Sequence, residues 1–331
     1  MIELPTDLTD AIRRVCALPP ENARQLTFHL PLELQALEVA GADAGVIRAR
    51  IDRRLPETSA VGLVDPPLYR WAEATYAPLA AELLDPDVHV RAQAFDRLAP
   101  LGAGLAGAAF HGLIRLGYGA LRRDVAEIAR GLAYLRTRPQ VLFMPGMFAP
   151  DAEPLLPDAP ALRAATIFEA LDLVAGSPGV LRQALVDDPV PTARALCEDA
   201  LWLLERNPSS FLSVHTVTAL QALAELELLV TGNPPGPQRN DGPLAGWWRA
   251  YAWALEACST LVERQPEETG GRAPESFPGF AALTRAAIAS CEAHDVKMIV
   301  SLGRLVEMDV IPLKRALEVG ARKLAATECS A

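Results

Sequence analysis

Four histidines and one lysine carry most of the chemistry this sequence offers. His29, His111, His215 and His294 each lie just ahead of or within an apolar, helix-like run, and Lys297 follows His294 by three residues. Residues three apart share one face of a helix, about one turn apart. The residues that follow, Met298-Ile-Val-Ser-Leu302, are almost wholly apolar and turn that face inward. A lysine there must be neutralised, paired or chemically changed, because an isolated buried ammonium is too costly. Imidazole nitrogens suit iron, copper, zinc and nickel. The four histidines and Lys297 therefore read as one converging metal site. The fifth histidine, His89, lies among the charges of Asp85-Pro-Asp-Val-His-Val-Arg91 and reads as a surface residue.

Such a site has a charge problem. Four neutral imidazoles leave the charge of a divalent ion uncompensated, and no His-x-Asp or His-Glu-x-x-His arrangement supplies a carboxylate. Asp295, next to His294, points to a different helix face. Lys297 can fill the gap: a buried lysine with a lowered amine pKa reacts with carbon dioxide to give a carbamate, an anionic oxygen ligand. The plain alternatives are hydrogen-bonded core histidines, and a lysine that snorkels outward or pairs with Glu292 or Asp295.

The elements that must hold these residues are helices. Alanine and leucine dominate the apolar residues, while β-branched and aromatic residues are scarce, a balance that favours helix over strand. The expected helices are 8–18, 32–39, 44–53, 68–84, 88–98, 160–175, 179–186, 192–206, 211–230, 244–264, 280–293, 294–307 and 311–326, with no strand. His29 stands at or just before a helix start, ahead of Pro31. The most hydrophobic stretch, 101–135, carries Gly102, Gly104, Gly107, Gly112, Gly117 and Gly119, small residues that allow close packing. Residues 136–160, with the Met144-Pro-Gly-Met147 turn, read as a long loop, as do 232–243 and 265–278. The fold class is all-α: one large helical domain over 1–331, roughly a dozen helices around a buried metal site. His29 and His215 are each followed by Gln-Ala-Leu at the same offset (Gln35 to Leu37, Gln221 to Leu223), as if two half-domains each present a histidine from an equivalent helix.

Several function classes are disfavoured. The net charge is −10 with the basic residues dispersed, which speaks against nucleic acid and anionic membranes. No apolar run is long enough to span a membrane, and the first residues lack the pattern of a signal peptide. The five cysteines are scattered without a Cys-x-x-Cys, as expected of reduced thiols in the cytoplasm. Gly102-Ala-Gly-Leu-Ala-Gly107 matches the dinucleotide fingerprint in letters alone, since no strand precedes it, and reads as close packing.

Four blocks carry a family resemblance: Phe28-His-Leu-Pro-Leu-Glu-Leu-Gln-Ala-Leu37, His111-Gly-Leu-Ile-Arg-Leu-Gly-Tyr-Gly119, Leu212-Ser-Val-His-Thr-Val-Thr-Ala-Leu220 and His294-Asp-Val-Lys297. In order and spacing they resemble the questin oxidase-like family. The resemblance implies an all-helical oxygenase acting on aromatic polyketides in secondary metabolism, by ring cleavage or Baeyer–Villiger-type oxygen insertion. It further implies non-haem iron, Fe(II)/Fe(III), held by His29, His111, His215 and His294 with Lys297 as the carboxylated lysine, and O2 as co-substrate. Phe28 stands where the family pattern suggests a polar residue.

The expectation is thus a cytoplasmic non-haem-iron oxygenase, monooxygenase or dioxygenase, that takes a hydrophobic aromatic small molecule. Tyr118, beyond His111 on the same helix, is a candidate hydrogen-bond donor to substrate or oxygen. Trp202, Trp247 and Trp248 are candidates for an aromatic pocket, or for core. Two rival readings stay open. One is a metal-independent or NADPH-assisted oxygenase with the histidines as acid/base groups, and the other is a non-catalytic helical scaffold. The oligomeric state, a homodimer included, is open too.

Overall fold

The computed structural model describes residues 4–23, 27–139, 191–208, 210–236, 242–262, 277–290 and 292–328. The helices expected over 160–175 and 179–186, and most of the loops over 136–160 and 265–278, lie outside the described residues. Within them the chain is all-α, with thirteen α-helices. They are α1 (Leu8–Cys16), α2 (Leu30–Val39), α3 (Ala44–Val61), α4 (Tyr69–Glu82), α5 (Val88–Leu98), α6 (His111–Arg122), α7 (Val125–Thr137), α8 (Ala193–Arg206), α9 (Phe211–Thr231), α10 (Ala245–Val262), α11 (Phe280–Ala289), α12 (Ala293–Glu307) and α13 (Leu313–Glu328). No helix among the described residues is long and apolar enough to cross a membrane.

Local chemistry explains many of the boundaries. Asp7, Asp87, Asp124, Thr192 and Glu292 each accept a backbone N–H of the first helical turn through the side chain, opening α1, α5, α7, α8 and α12. Gly232, left-handed at φ +76°, closes α9. Two expectations need correction. α3 runs on to Val61 rather than ending at Arg53, straight through Pro56. Proline forfeits only part of the helical bonding, and Ile47, Ile51 and Leu55, four residues apart, keep the helix anchored on the core. A minimal antiparallel ladder also exists, pairing Glu21–Asn22 with Leu63–Val64. At two residues per strand it is too short to leave an alternating pattern in sequence.

One contiguous apolar cluster draws on every helix. At its centre α2, α6, α9 and α12 close a ring, each packed against the next: α2 on α6, α6 on α9, α9 on α12, and α12 back on α2. Neighbours run in the same direction. Gly117, six residues after His111, meets Ala222, seven residues after His215; a Cβ on Gly117 would stand 2.3 Å from that of Ala222. Across the next seam Ser301 donates to Gln221, and Arg304 to Glu225, at 3.3 and 2.6 Å. The glycine is what lets α6 and α9 approach so closely. Gly102, in turn, lies under the Trp247 ring, so the fingerprint-like stretch is a packing surface.

The repeated Gln-Ala-Leu has a structural counterpart. Gln35 on α2 donates to Glu127 at 2.8 Å, and Gln221 on α9 donates to Glu225 at 3.2 Å. Each glutamate also holds arginine: Glu127 takes Arg115 at 3.0 Å and Arg130 at 2.6 Å, and Glu225 takes Arg304. Burial pushes the Glu127 carboxyl up, but the two guanidinium groups outweigh it and hold it below the usual range.

Candidate metal centre

The four ring helices deliver one histidine each from their N-terminal parts. His29 is the N-cap of α2, His111 opens α6, His294 is second in α12, and His215 is fifth in α9. The rings converge. Centroid separations are 4.4 Å for His111–His215, 4.7 Å for His29–His111, 4.9 Å for His29–His294 and 5.1 Å for His215–His294. Donor nitrogens of His29, His111 and His215 lie within 4.8 Å of one another. His29 Nε2 and His111 Nε2 are 2.8 Å apart. Two nitrogens bound at about 2.1 Å and a right angle around one ion would stand roughly 3.0 Å apart.

Two of the rings are held from behind. His294 Nδ1 is 2.7 Å from the carboxylate of Glu292, whose same oxygen accepts the His294 backbone N–H at 3.1 Å. That carboxylate drops to about 2, mainly because His294 donates to it. A proton kept on Nδ1 leaves the Nε2 lone pair free, and Nε2 is buried with no partner. His111 Nδ1 bonds the Ala108 carbonyl. The turn that brings this carbonyl round is unusual: Ala108, Ala109 and Phe110 are all left-handed, at φ +49°, +54° and +67°. For residues with a Cβ this conformation costs roughly 1–2 kcal/mol each. Packing must enforce it; Ala109 and Phe110 are fully buried.

Burial, reinforced by Lys297, pushes every one of these imidazoles toward the neutral form; in His215 the His111 charge adds more than Lys297 does. His111 falls to about 3 and His294 to about 4. The result is four neutral nitrogen donors. Among the described residues, both nitrogens of His215 are buried without a hydrogen-bond partner. So is Lys297 Nζ. Burial lowers this amine to about 8, while Glu33 and Glu292 act against the shift.

The plain partners weighed for Lys297 are engaged elsewhere. Asp295 does face another way: Lys323 Nζ, Ser290 Oγ and Thr327 Oγ1 bond it at 2.9, 2.6 and 3.0 Å. Glu292 serves His294. Glu33, one turn beyond His29 on α2, is buried and paired with Arg50. Orphaned buried donors and acceptors are rare in folded proteins and call for a reason. Three histidine nitrogens and a lysine amine left bare in one place fit a set of ligands for a nitrogen-seeking metal ion.

Not every expected residue joins the cluster. Tyr118 lies two turns along α6 from His111, and among the described residues its buried hydroxyl has no partner. Burial and the Glu225 carboxylate push that hydroxyl's pKa up. Trp247 and Trp248 are core residues, bonded through their indole nitrogens to the Ala99 carbonyl and to Glu227, and Trp202 is partly exposed. His89 is exposed, as expected of a surface residue. The aromatic residue that does touch the histidines is Phe211, with centroids 5.0 Å from His215 and 6.4 Å from His294. Glu292, Ala108 and Phe211 were not legible as site residues. Glu292 carries the one available signal, an acidic residue capping the helix that begins next to His294.

Comparison of the chain with protein-family models, curated proteins and solved structures returns no match. What can be said of function rests on the cluster itself.

Proposed function

We propose that the chain is a non-haem-iron oxygenase, in which His29, His111, His215 and His294 hold the metal, Lys297 supplies its anionic ligand as a carbamate, and the substrate is a hydrophobic aromatic small molecule. The observation that carries the reading is the set of unpartnered inward groups: both nitrogens of His215, Nε2 of His294 and Nζ of Lys297. Helix N-termini carry a partial positive charge. Four of them meet here beside neutral imidazoles, so an anion close to the metal is needed more than in an ordinary histidine site. Lys297 supplies it when its neutral amine attacks carbon dioxide: a C–N bond forms, a proton leaves to solvent, and the carbamate oxygen carries the charge. The lowered amine pKa keeps a share of the neutral, reactive form near neutral pH.

Iron held there would supply one-electron chemistry toward dioxygen. The chain's own residues orient and insulate. Glu292 and the Ala108 carbonyl fix which nitrogen of His294 and His111 faces inward. The apolar core around α2, α6, α9 and α12 shields His111 and His215 from bulk water. The resemblance to the questin oxidase-like family supports the same assignment.

Elemental analysis of protein purified without added metal tests the proposal. About one iron per chain is expected in the parent, lost in His294→Ala and in Lys297→Ala while both variants keep their helical circular dichroism. No stoichiometric metal in the parent would refute it. One observation favours a second reading, in which the histidines act as acid and base without metal, with a reduced nicotinamide as diffusible reductant. The 2.8 Å contact between His29 Nε2 and His111 Nε2 also fits a direct hydrogen bond, one ring donating and the other accepting. Activity that survives complete iron removal would select it.

A further inference from the structure

The histidine cluster is not equally closed on all sides. His111 and His215 are buried at 3% and 0% exposure, whereas the His294 side chain is 15% exposed and that of Glu292 43%. His29 is half-buried too, so the open edge runs along the starts of α2 and α12. Across from it, at the start of α9, stands Phe211. Its position on the helix explains its reach. As the first residue of α9 it is one turn before His215, and it leans over that ring edge-to-face, at 85°. It also tilts toward His294, at 48°. Yet it keeps 38% of its surface in solvent, which makes it one of the most exposed large apolar residues among those described. A ring that served only to seal the cluster would gain by burying that remaining face.

We propose that Phe211 is the specificity-determining residue of the site: a planar aromatic ring stacks on its free face and so approaches the cluster over the exposed edge of His294. The inference rests on the metal-centre reading for its chemistry, but not for the binding itself. The geometry gives the ligand class. Aromatic pairs favour offset or edge-to-face contact at centroid separations of 4.5–7 Å. Phe211 already makes such contacts with two histidines and offers its outer face for a third. A flat ring on that face lies over the open edge with its rim toward the histidines. A puckered aliphatic ring of the same size cannot match the contact. Trp247 and Trp248 are excluded from this role by their burial in the core.

The test uses the full chain loaded with Co(II), whose visible bands report on its ligands, and 2-naphthol as a planar fluorescent probe. Binding should be saturable and should shift the Co(II) bands. It should weaken roughly 3- to 10-fold in Phe211→Ala, the range expected for loss of one aromatic pair, and recover in Phe211→Trp. Cyclohexanol, the non-planar control, should not compete. Unchanged Co(II) stoichiometry in both variants shows that the cluster is still assembled. Equal affinity in the parent and Phe211→Ala, or binding that leaves the Co(II) bands untouched, would overturn the inference. Should Co(II) fail to bind the parent, the metal reading falls instead. The fluorescence titration of the metal-free protein then decides on Phe211 by the same ordering of variants.

Discussion

Two groups of polar side chains are buried side by side in this molecule, and they are treated in opposite ways. Around Glu127 the accounts balance: Arg115, Arg130 and Gln35 all donate to its carboxylate, and Arg115 also reaches the Cys16 carbonyl. Around His215, on the ring of helices that α7 packs against, the buried nitrogens have no hydrogen-bond partner among the described residues. Burial alone does not distinguish the two groups, since Glu127 and Lys297 are both essentially inaccessible. Pairing does. A paired buried charge holds the fold together, whereas a set of bare ones in one place has been kept for something else.

The contrast is sharpest when one partner is removed from each group. Glu127→Ala strands the Arg115 guanidinium in the core and is expected to cost roughly 3–5 kcal/mol in denaturant unfolding. In metal-free protein Lys297→Met, equally buried, removes a charge that has no partner among the described residues and is expected to leave stability unchanged or raised. A large loss in Lys297→Met would break the comparison. The Glu127 carboxyl, held below its usual range in the folded state, contributes stability above its unfolded pKa and loses it as pH falls through the folded pKa. Acid unfolding of Glu127→Gln should lack that component.

Next in size is the effect of filling the bare group. If the histidines are ligands, Fe(II) or Co(II) at a hundredfold excess over Kd should stabilise the parent by about 2.7 kcal/mol. The increment should vanish in His215→Ala. Glu292→Gln weakens the carboxylate behind His294 and is expected to lower metal affinity roughly 10- to 100-fold with the helical content intact. Tyr118→Phe should give the smallest change. Its hydroxyl has no partner to lose, so thermal unfolding should shift by less than about 1 kcal/mol in either direction. A drop in turnover with no change in stability would place that hydroxyl at the substrate after all.

Much of this was legible in the sequence because it depends on local or compositional signals. Alanine- and leucine-rich runs gave most of the helices, and Asp7 and Thr192 stand at two of the expected starts, whereas α6 and α7 were not separated within 101–135. The inward face of α12 followed from His294, Lys297 and the apolar residues behind them. The four histidines, separated by scores of residues, come together where the ring helices begin. What was not legible depends on the backbone in three dimensions. No letter announces that Ala108, Ala109 and Phe110 are left-handed, because none is glycine. Phe211 looks like any apolar residue at a helix start, while three tryptophans draw attention as candidates for an aromatic pocket. α3 looks shorter than it is because Pro56 reads as a stop, until its packing on the core is known.

The shared direction of the four ring helices bears on how the chain reaches this state. Parallel neighbours cannot be joined by tight turns, so each link in the ring needs a return path along the molecule. His29 and His111, whose nitrogens lie 2.8 Å apart, are 82 positions apart in the chain. Closing such contacts is entropically expensive and slow, and nothing local rewards the chain until the ring is complete. The cluster is therefore expected to assemble late in folding, which stopped-flow metal uptake during refolding would check. Metal capture would then serve as a clock for the final step, appearing only after the last of the four segments has docked.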